Sequence, residues 1–286
     1  MNILITGCNG QLGNEMQLLE PQHPEHTFFN TDVAELDITD AAAIASFVEA
    51  NAIDGIVNCA AYTAVDKAES NAALCSRLNA DAPALLAKAV NERGGWLIQI
   101  STDYVFDGTN HRPYTEDDPP CPNSVYGTTK LHGEKKAAEA CPRTMIIRTA
   151  WLYSTFGNNF VKTMLRLGRE RDKLGVVFDQ IGTPTYARDL AAAIMTAIDK
   201  GVEPGTFHFS DEGVTSWYDF TKAIHRIAGI SGCRVSPVHT SEYPTAAVRP
   251  HYSVLDKTKI KTRYAIDIPH WEDSLRECIY QLTAEQ

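Results

Sequence analysis

Short apolar segments of strand length recur through the first half of the chain, and segments with helical spacing of apolar residues separate them. The predicted strands cover residues 3–5, 27–30, 55–59, 96–100 and 145–149, and the predicted helices cover 11–19, 41–51, 81–93 and 124–140. Strands that alternate with helices form βαβ units, whose strands lie parallel. The pattern therefore predicts an α/β fold built on a doubly wound parallel sheet of the Rossmann type.

The regular alternation loosens after Thr149, where turn residues become more frequent. Helices are predicted over 160–171, 187–200 and 217–228, and strands over 176–178 and 207–209. We expect these pieces to assemble a smaller C-terminal substrate-binding lobe. Residues 1–152, together with 176–205, are assigned to the Rossmann domain, and residues 153–175 and 206–286 to the lobe.

Composition and charge narrow the class of protein. With 286 residues, 44% hydrophobic and 22% charged, the chain can bury the core of about two globular domains. A net charge of -10 makes nucleic acid and anionic membranes unfavourable partners, although it permits a local basic pocket. Seven cysteines without a C-x-x-C pair, no signal-like start and no apolar run of about 18 residues indicate a cytoplasmic protein.

A glycine-rich turn joins the first predicted strand to the first predicted helix, with the spacing G-x-x-G-x-x-G. Glycines at such positions let the backbone turn tightly, let a pyrophosphate approach the amide groups, and seat the helix against the sheet. The turn therefore predicts a dinucleotide-binding site. Its residues are Gly7, Asn9, Gly10, Gln11, Leu12 and Gly13.

An acidic residue follows the second predicted strand. Asp32 lies about 20 residues past the glycines, where a carboxylate can accept a hydrogen bond from the adenosine ribose 2′-hydroxyl. A carboxylate there repels a 2′-phosphate, and no arginine or lysine follows closely, so NADH is slightly favoured over NADPH. A solvated loop aspartate is the alternative interpretation. Asp37 and Ile38 form a second candidate contact, with the adenine.

Tyr126 and Lys130 are candidate catalytic groups. Their spacing of four residues puts both side chains on one face of the predicted helix, where an ammonium lowers the pKa of a phenol and makes it a usable proton donor. Thr102 follows the fourth strand, and active groups gather at this edge of doubly wound sheets. A second Y-x-x-x-K pair, Tyr218 and Lys222, has no such neighbour and is assigned to packing.

Other chemistries find little support in the sequence. His23 and His26 stand close together, but neither an H-E-x-x-H motif nor clustered cysteine and histidine spacing indicates zinc, so no metal is expected. No G-x-S-x-G elbow of a hydrolase occurs. The apolar positions 160, 164 and 167 recur at helical spacing and are interpreted as core.

Together, the glycine turn, the Ser-Thr pair at the fourth strand and the Y-x-x-x-K motif resemble the extended short-chain dehydrogenase/reductases. Within that superfamily, nearly the full chain is similar to the dTDP-4-dehydrorhamnose reductase family. The segments that carry this similarity are LDITD (36–40), NCAAYTAVDKAE (58–69), STDYVFDG (101–108), YGTTKL (126–131), RTAWLY (148–153), NNFVKTM (158–164), DQIGTPT (179–185) and RPH (249–251).

The resemblance implies an NAD(P)H-dependent reductase that converts the 4-keto group of dTDP-4-dehydro-6-deoxy-L-mannose to the hydroxyl of dTDP-L-rhamnose. By this resemblance Tyr126 would donate the proton, Lys130 would lower its pKa and bind the nicotinamide ribose, and Thr102 would tune the tyrosine. Further coenzyme contacts are implied for Ala60, Ala61, Tyr62 and Thr63. Substrate contacts are implied for Thr63, Val65, Thr102, Asp103, Tyr104 and Trp151, while Arg249 would either bind the diphosphate or serve a structural role.

The sequence departs from the family pattern in two places. Cys59 stands where alanine is common, and a small buried thiol is expected to be harmless. Glu15 fits one position of a carboxylate metal site through which some family members dimerise, but Arg188 stands where another acid would be. A metal-bridged dimer is therefore not expected, and a monomer and a homodimer both stay open.

Three other functions share parts of the pattern. A sugar-nucleotide 4,6-dehydratase needs an acid–base pair after the threonine, whereas Asp103 is followed here by Tyr104. A sugar-nucleotide epimerase shares only generic features. A non-catalytic nucleotide-binding regulatory subunit need not keep Thr102, Tyr126 and Lys130 together. The reductase, with a small dTDP sugar as its partner, is therefore favoured.

Overall fold

The computed structural model describes residues 1–284. Its strands are β1 (Asn2–Thr6), β2 (Thr27–Thr31), β3 (Gly55–Asn58), β4 (Trp96–Thr102), β5 (Thr144–Thr149), β6 (Leu152–Tyr153), β7 (Lys173–Val177), β8 (Ile181–Gly182), β9 (Thr185–Tyr186), β10 (Gly205–His208), β11 (Thr215–Ser216) and β12 (Arg234–Val238). Its α-helices are α1 (Gln11–Leu19), α2 (Ala41–Ala50), α3 (Val65–Ala68), α4 (Ala72–Ser76), α5 (Ala82–Glu92), α6 (Val125–Ala140), α7 (Phe160–Glu170), α8 (Ala187–Lys200), α9 (Trp217–Ile227), α10 (Thr258–Tyr264) and α11 (Trp271–Ala284).

The main sheet is parallel, with the strand order β10-β5-β4-β3-β1-β2. Helices cover both faces: α1, α8 and α10 contribute to the apolar core on one face, and α2, α5 and α6 to the core on the other. The doubly wound Rossmann-type fold that the alternation predicts is therefore confirmed. The register sets Thr6 beside Asn58 and Thr102 beside Thr149, so the carboxyl ends of four strands meet at one edge.

Side-chain caps fix where two of the helices begin. The Asp40 carboxylate accepts hydrogen bonds from the amide groups of Ala42 and Ala43 at 2.9 and 3.0 Å, which fixes the start of α2. The Ser124 hydroxyl accepts from the amide of Gly127 at 3.1 Å at the start of α6. This second cap fixes the first turn of the helix that carries Tyr126 and Lys130.

The second half of the chain departs from the division into lobes that we expected at residue 206. Strand β10 pairs with β5 in the main sheet, because Phe207 and Phe209 are buried in the same core as Met145 and Ile147. Strand β7 pairs instead with β12, a strand that the apolar pattern missed. Helix α10 also packs on the main-sheet core rather than in the lobe. The chain thus passes between the two lobes more than once.

A separate apolar core lies between α7, α9, α11 and the β7–β12 pair, and it forms the body of the smaller lobe. Tyr153 and Phe220 are almost fully buried within it. None of the helices within residues 1–284 combines the length and apolarity that a membrane crossing needs. All seven cysteines are free thiols.

Candidate active site

A cavity of about 690 Å³ opens at the carboxyl ends of β1, β3, β4 and β5. It lies where ligands bind in doubly wound sheets, outside the ends of the parallel strands. The predicted site residues that line it are Gly7, Gly10, Gln11, Leu12, Asp32, Ala60, Ala61, Thr63, Val65, Thr102, Asp103, Tyr104, Tyr126, Lys130 and Trp151. The structure thus brings most of the candidate coenzyme and substrate residues into one cleft.

The glycine turn holds α1 close to the sheet with its N-terminus toward the cavity. Gly7 has a φ of +66°, and a Cβ there would lie 2.7 Å from the amide nitrogen of Ala60. A Cβ on Gly13 would lie 2.5 Å from the carbonyl oxygen of Gly7, although Gly13 does not itself line the cavity. Helix α1 begins without a side-chain cap, so its first amide groups are available to an anion. These features fit the pyrophosphate of a dinucleotide.

Asp32 lies just after β2 and lines the cavity. Its carboxylate accepts hydrogen bonds from the amide groups of Asn9 and Val33, at 3.1 and 2.8 Å. Asn9 therefore supports Asp32 through its backbone and does not line the cavity itself. Lys130 is the only lysine or arginine among the described residues that line this cleft. The end of the cleft around Asp32 therefore lacks a cation suited to a 2′-phosphate.

Asp37 and Ile38, the second candidate for adenine contact, lie outside the cavity lining. Asp37 accepts hydrogen bonds from the backbone amide and the hydroxyl of Thr39, both at 2.8 Å, and the amide bond is the main cause of its lowered pKa. Ile38 is buried in the core beneath α2. The two residues thus form a local turn and a core contact here.

Tyr126 and Lys130 both face the cavity from the start of α6. Burial lowers the pKa of Lys130 to about 8, while Glu134 opposes the shift, and the Lys130 ammonium donates to the carbonyl oxygen of Ile100 at 2.5 Å. Burial also raises the pKa of Tyr126, with the Thr102 hydroxyl opposing. The pKa of Tyr126 is therefore raised rather than lowered as we expected, because desolvation dominates and the neighbouring acidic groups, led by Asp103, raise it further.

Thr102, Asp103 and Tyr104 follow β4 directly and occupy the centre of the cleft. The Thr102 hydroxyl donates to Asp103 at 3.0 Å and accepts from the amide of Tyr104 at 3.2 Å. The Tyr104 ring meets the Tyr126 ring edge-on, with 5.5 Å between centroids. Burial raises the pKa of Asp103 to about 6. Hydrogen bonds from the Ser253 and Thr102 hydroxyls oppose this shift.

Trp151 closes one side of the cleft. Its backbone lies in the left-handed region, with a φ of +47°. The indole packs over Gly182, where a Cβ would come within 2.7 Å of the ring. On the same side it stacks on Trp217 of the smaller lobe. The special backbone conformation at Trp151 therefore places this ring at the boundary between the two lobes.

A second cavity, of about 510 Å³, lies in the smaller lobe between α7, β7 and α9. It is lined by Phe160, Met164, Leu167, Arg171, Lys173, Leu174, Gly175, Val176, Val177, Gln180, Trp217, Tyr243, Thr245 and Arg249. The positions 160, 164 and 167 that we interpreted as core do pack on the lobe core, but their side chains also form one wall of this cavity. Its mixture of apolar walls and cations suits a ligand with an aromatic ring and negative charge.

Arg249 lies between the two cavities. Its guanidinium forms an ion pair with Asp66 at 2.7 Å and donates to the hydroxyl of Tyr104 at 3.4 Å. Asp66 also accepts from the amide of Ala247 at 3.2 Å. Sequence reasoning named Arg249 but missed Asp66, because 183 residues separate the two.

Some residues named in the sequence analysis lie outside the cleft, and the cleft contains residues that were not predicted to contact a ligand. Tyr62 lies outside the cavity lining, and its backbone amide and carbonyl both bond to the Asn79 side chain, at 2.8 and 3.1 Å. Tyr218 packs partly buried on the lobe core, and Lys222 is exposed. The cavity residues that we did not predict as ligand contacts are Cys59, Ile100, Ser101, Thr149, Ala150, Leu152, Gly157 and Asn158. Most of them adjoin predicted strand ends, and that position was the available signal.

Two groups of charged side chains lie outside the cleft. His23, Glu25 and Asp199 place potential metal-ligand atoms within 4.8 Å of one another, although no metal was expected from the sequence. Arg188 lies between Glu15 and Glu277, with distances of 3.4 and 2.8 Å to their carboxylates. The guanidinium thus supplies the positive charge next to the buried Glu15.

Comparison with known proteins places the whole chain in one group. The family model described as RmlD substrate binding domain matches residues 1–284. A dTDP-4-dehydrorhamnose reductase of Escherichia coli (strain K12) is 41% identical over 294 residues, which cover 99% of this chain and 98% of the relative.

Two solved structures agree with the sequence relatives. A dTDP-4-dehydrorhamnose reductase from Clostridium acetobutylicum has a TM-score of 0.95 at 45% identity, covering 99% of this chain and 100% of that one. A reductase of the same name from Bacillus anthracis, solved in complex with NADP, has a TM-score of 0.94 at 40% identity, covering 98% and 99%.

Proposed function

Because the chain belongs to the RmlD substrate-binding-domain family of dTDP-4-dehydrorhamnose reductases, we propose that it reduces the 4-keto group of dTDP-4-dehydro-6-deoxy-L-mannose to give dTDP-L-rhamnose. The protein is an oxidoreductase that uses a nicotinamide coenzyme. The observation that carries the site assignment is the convergence of Tyr126, Lys130 and Thr102 in the cleft that the glycine turn also lines.

Tyr126 is the proton donor in this proposal. A reductase must deliver a proton to the carbonyl oxygen as the carbonyl carbon receives hydride, and the donor must therefore be protonated beforehand. The raised pKa of Tyr126 keeps its phenol protonated at neutral pH. Thr102 orients the phenol, since its hydroxyl lies beside it and is itself held by Asp103 and the amide of Tyr104.

Lys130 supplies the positive charge that stabilises Tyr126 after the proton leaves. The ammonium is buried beside Ile100 and lines the same cavity as Tyr126. An ammonium in a site of low dielectric stabilises a nearby phenolate more than it would in water. Lys130 also has donors to offer a ribose hydroxyl of the coenzyme.

The coenzyme extends in this proposal from the glycine turn and Asp32 toward Tyr126. The amide groups at the start of α1 bind the pyrophosphate, and Ala60, Ala61 and Thr63 lie along the path to the nicotinamide. When bound, the reduced nicotinamide supplies the hydride. Asp32 binds the adenosine ribose and favours NADH over NADPH, because a carboxylate repels a 2′-phosphate.

The dTDP sugar bridges the two cavities. Asp103, Tyr104, Val65 and Trp151 contact the sugar in the first cavity. The thymine and the diphosphate occupy the second, where Phe160 and Trp217 offer aromatic faces and the arginine and lysine side chains offer charge-assisted hydrogen bonds. Arg249 is placed to reach the diphosphate from its pair with Asp66.

We also propose that the enzyme works in the cytoplasm on a small-molecule substrate, as a monomer or a homodimer. The seven free thiols suit a reducing compartment. The net charge of -10 is unfavourable for binding nucleic acid, while helix N-terminal amides and local cations suffice for nucleotides.

A spectrophotometric assay combined with product analysis tests the proposed function. The purified protein is mixed with NADH or NADPH and dTDP-4-dehydro-6-deoxy-L-mannose, and absorbance at the coenzyme band and the sugar products are followed together. We expect coenzyme oxidation that matches the formation of dTDP-L-rhamnose and that stops without the keto sugar. Saturable coenzyme binding without any turnover would instead favour a regulatory subunit.

A further inference from the structure

Behind the catalytic face of α6, Glu134 and Arg148 form a buried ion pair. Their side chains are 4% and 5% exposed, respectively. The guanidinium donates two hydrogen bonds to the carboxylate, at 2.9 and 2.7 Å. The hydroxyl of Ser101 donates a third, at 2.5 Å. The Glu134 carboxylate thus accepts three hydrogen bonds and is held in one orientation from two neighbouring strands.

This carboxylate lies next to the groups that the proposed reaction uses. Glu134 follows Lys130 by four residues on α6, so both side chains project from the same helix face. Ser101 immediately precedes Thr102 and faces Arg148 across the β4–β5 pair. Lys130 itself donates to Ile100, the residue before Ser101. The contacts of Glu134 and Lys130 therefore join α6 to Ile100 and Ser101, the two residues of β4 that precede Thr102.

Stability alone gives a weak reason for such a pair. A buried ion pair contributes little net free energy of folding, because the cost of removing both charges from water offsets their attraction, and apolar residues of similar size often pack as well. What an apolar pair lacks is a fixed negative charge beside a buried ammonium. Burial shifts the pKa of Lys130 downward, and the charge of Glu134 opposes that shift.

We propose that Glu134 is a positioning residue for the reaction: its carboxylate keeps Lys130 protonated in the buried site and anchors the end of β4 that carries Thr102. Arg148 and Ser101 hold the Glu134 carboxylate by hydrogen bonds, and Ser101 joins it to the strand that carries Thr102. The other titratable groups near Lys130 are the thiols of Cys59 and Cys75 and the phenol of Tyr126, and the charged group paired with Glu134 is Arg148. This inference rests on the proposed function, which assigns Lys130 its role.

The test replaces Glu134 by glutamine, which keeps the shape of the side chain and removes its charge. The matched control is Glu139→Gln, which removes an exposed carboxylate from the same helix. Lysine labelled with ¹³C at the ε carbon reports the titration of Lys130 directly by NMR, and the Lys130→Arg variant assigns its signal. This readout needs no turnover, so a failure of the proposed function is seen separately, as wild-type protein that does not reduce the keto sugar.

We expect Glu134→Gln to lower the titration midpoint of Lys130 by about one pH unit, as for loss of a neighbouring opposite charge. The alkaline limb of the kcat profile should move down by the same amount, while the Kd for NADH at pH 6 stays within twofold. Glu139→Gln should change neither. An unchanged Lys130 midpoint in folded Glu134→Gln protein would overturn the inference.

A second variant covers the case in which glutamine leaves Arg148 unpaired and the protein does not fold. Glu134→Gln combined with Arg148→Met removes both buried charges together, which proteins often tolerate. We expect a downward shift of the Lys130 midpoint in this folded double variant too, smaller than in the single variant because the positive charge of Arg148 is removed as well. A wild-type midpoint there would refute the role of Glu134, whatever the behaviour of the single variant.

Discussion

The indole rings of Trp151 and Trp217 stack with 3.5 Å between their centroids and 10° between their planes. Trp151 lines the cavity that holds Tyr126, and Trp217 lines the cavity of the smaller lobe. The stacked pair is therefore the wall that a ligand spanning both cavities must contact. In the proposed binding mode, the pair lies between the sugar and the nucleotide of the substrate.

Replacement of Trp217 by leucine should weaken substrate binding without affecting the coenzyme. Loss of the stack removes about 1 kcal/mol of aromatic pairing and frees the Trp151 ring, so we expect the KM for the dTDP sugar to rise about fivefold to tenfold. The Kd for NADH, measured by fluorescence titration, should stay unchanged. A larger effect on NADH than on the sugar would contradict the assignment of the two cavities.

Replacement of Tyr126 by phenylalanine should remove the proton donor. We expect kcat to fall about 10²-fold or more, with little change in NADH binding. The matched control is Tyr218→Phe, in the second Y-x-x-x-K motif, which should retain nearly full activity because Tyr218 lies in neither cavity lining. If steady-state kinetics instead showed a large fall in kcat for Tyr218→Phe and little change for Tyr126→Phe, the catalytic tyrosine would belong to the second motif.

Replacement of Asp32 by alanine should change the coenzyme preference. Removal of the carboxylate abolishes repulsion of a 2′-phosphate and a hydrogen bond to a 2′-hydroxyl. We expect the ratio of kcat/KM for NADPH to that for NADH to rise about tenfold, which corresponds to about 1.4 kcal/mol. If the ratio does not move in parallel assays with both coenzymes, the adenosine ribose does not lie beside Asp32.

Asp103 should make stability depend on pH. Burial raises its pKa to about 6, above its usual 3.8, so the folded protein favours the protonated form. The resulting stabilisation is present below pH 4 and is lost as the pH rises through about 6. We expect the free energy of unfolding of the wild type, relative to Asp103→Asn, to decrease by up to about 3 kcal/mol between pH 4 and 7. Urea unfolding of both proteins measures the difference, and parallel pH profiles would contradict it.

Replacement of Gly13 by alanine should destabilise the glycine turn. The new Cβ would lie 2.5 Å from both the Gly7 carbonyl oxygen and the Cys8 Cα, which belong to the backbone and cannot rotate away. We expect a loss of about 1–3 kcal/mol in the free energy of unfolding, and weaker NADH binding as α1 moves off the sheet. Gly232→Ala is the control, because a Cβ there meets no atom within 4 Å.

The local spacing of apolar residues was enough to predict strands β1 to β5 of the main sheet and the residues at their carboxyl ends. The apolar runs form β1, β3, β4 and β5 as mostly buried strands and β2 as a partly exposed edge strand, and the position of Thr102 follows directly from the end of β4. The pairing of β7 with β12 was not predictable in this way, because the alternation in β12 is interrupted by Pro237 and its partner lies some sixty residues away. The pairs Trp151–Trp217 and Arg249–Asp66 depend on how the lobes pack together, and no local pattern encodes that.

The interleaving of the lobes constrains how the protein can be made. Strand β10 covers the edge of β5, yet its residues are synthesised only after those of α7 and α8. A growing chain that has released β1 through β5 therefore presents an open strand edge to the surrounding medium until β10 emerges. Co-translational folding of this enzyme should consequently wait for residues near 208, and truncated nascent chains that stop before that point should be substrates for chaperones rather than soluble Rossmann domains.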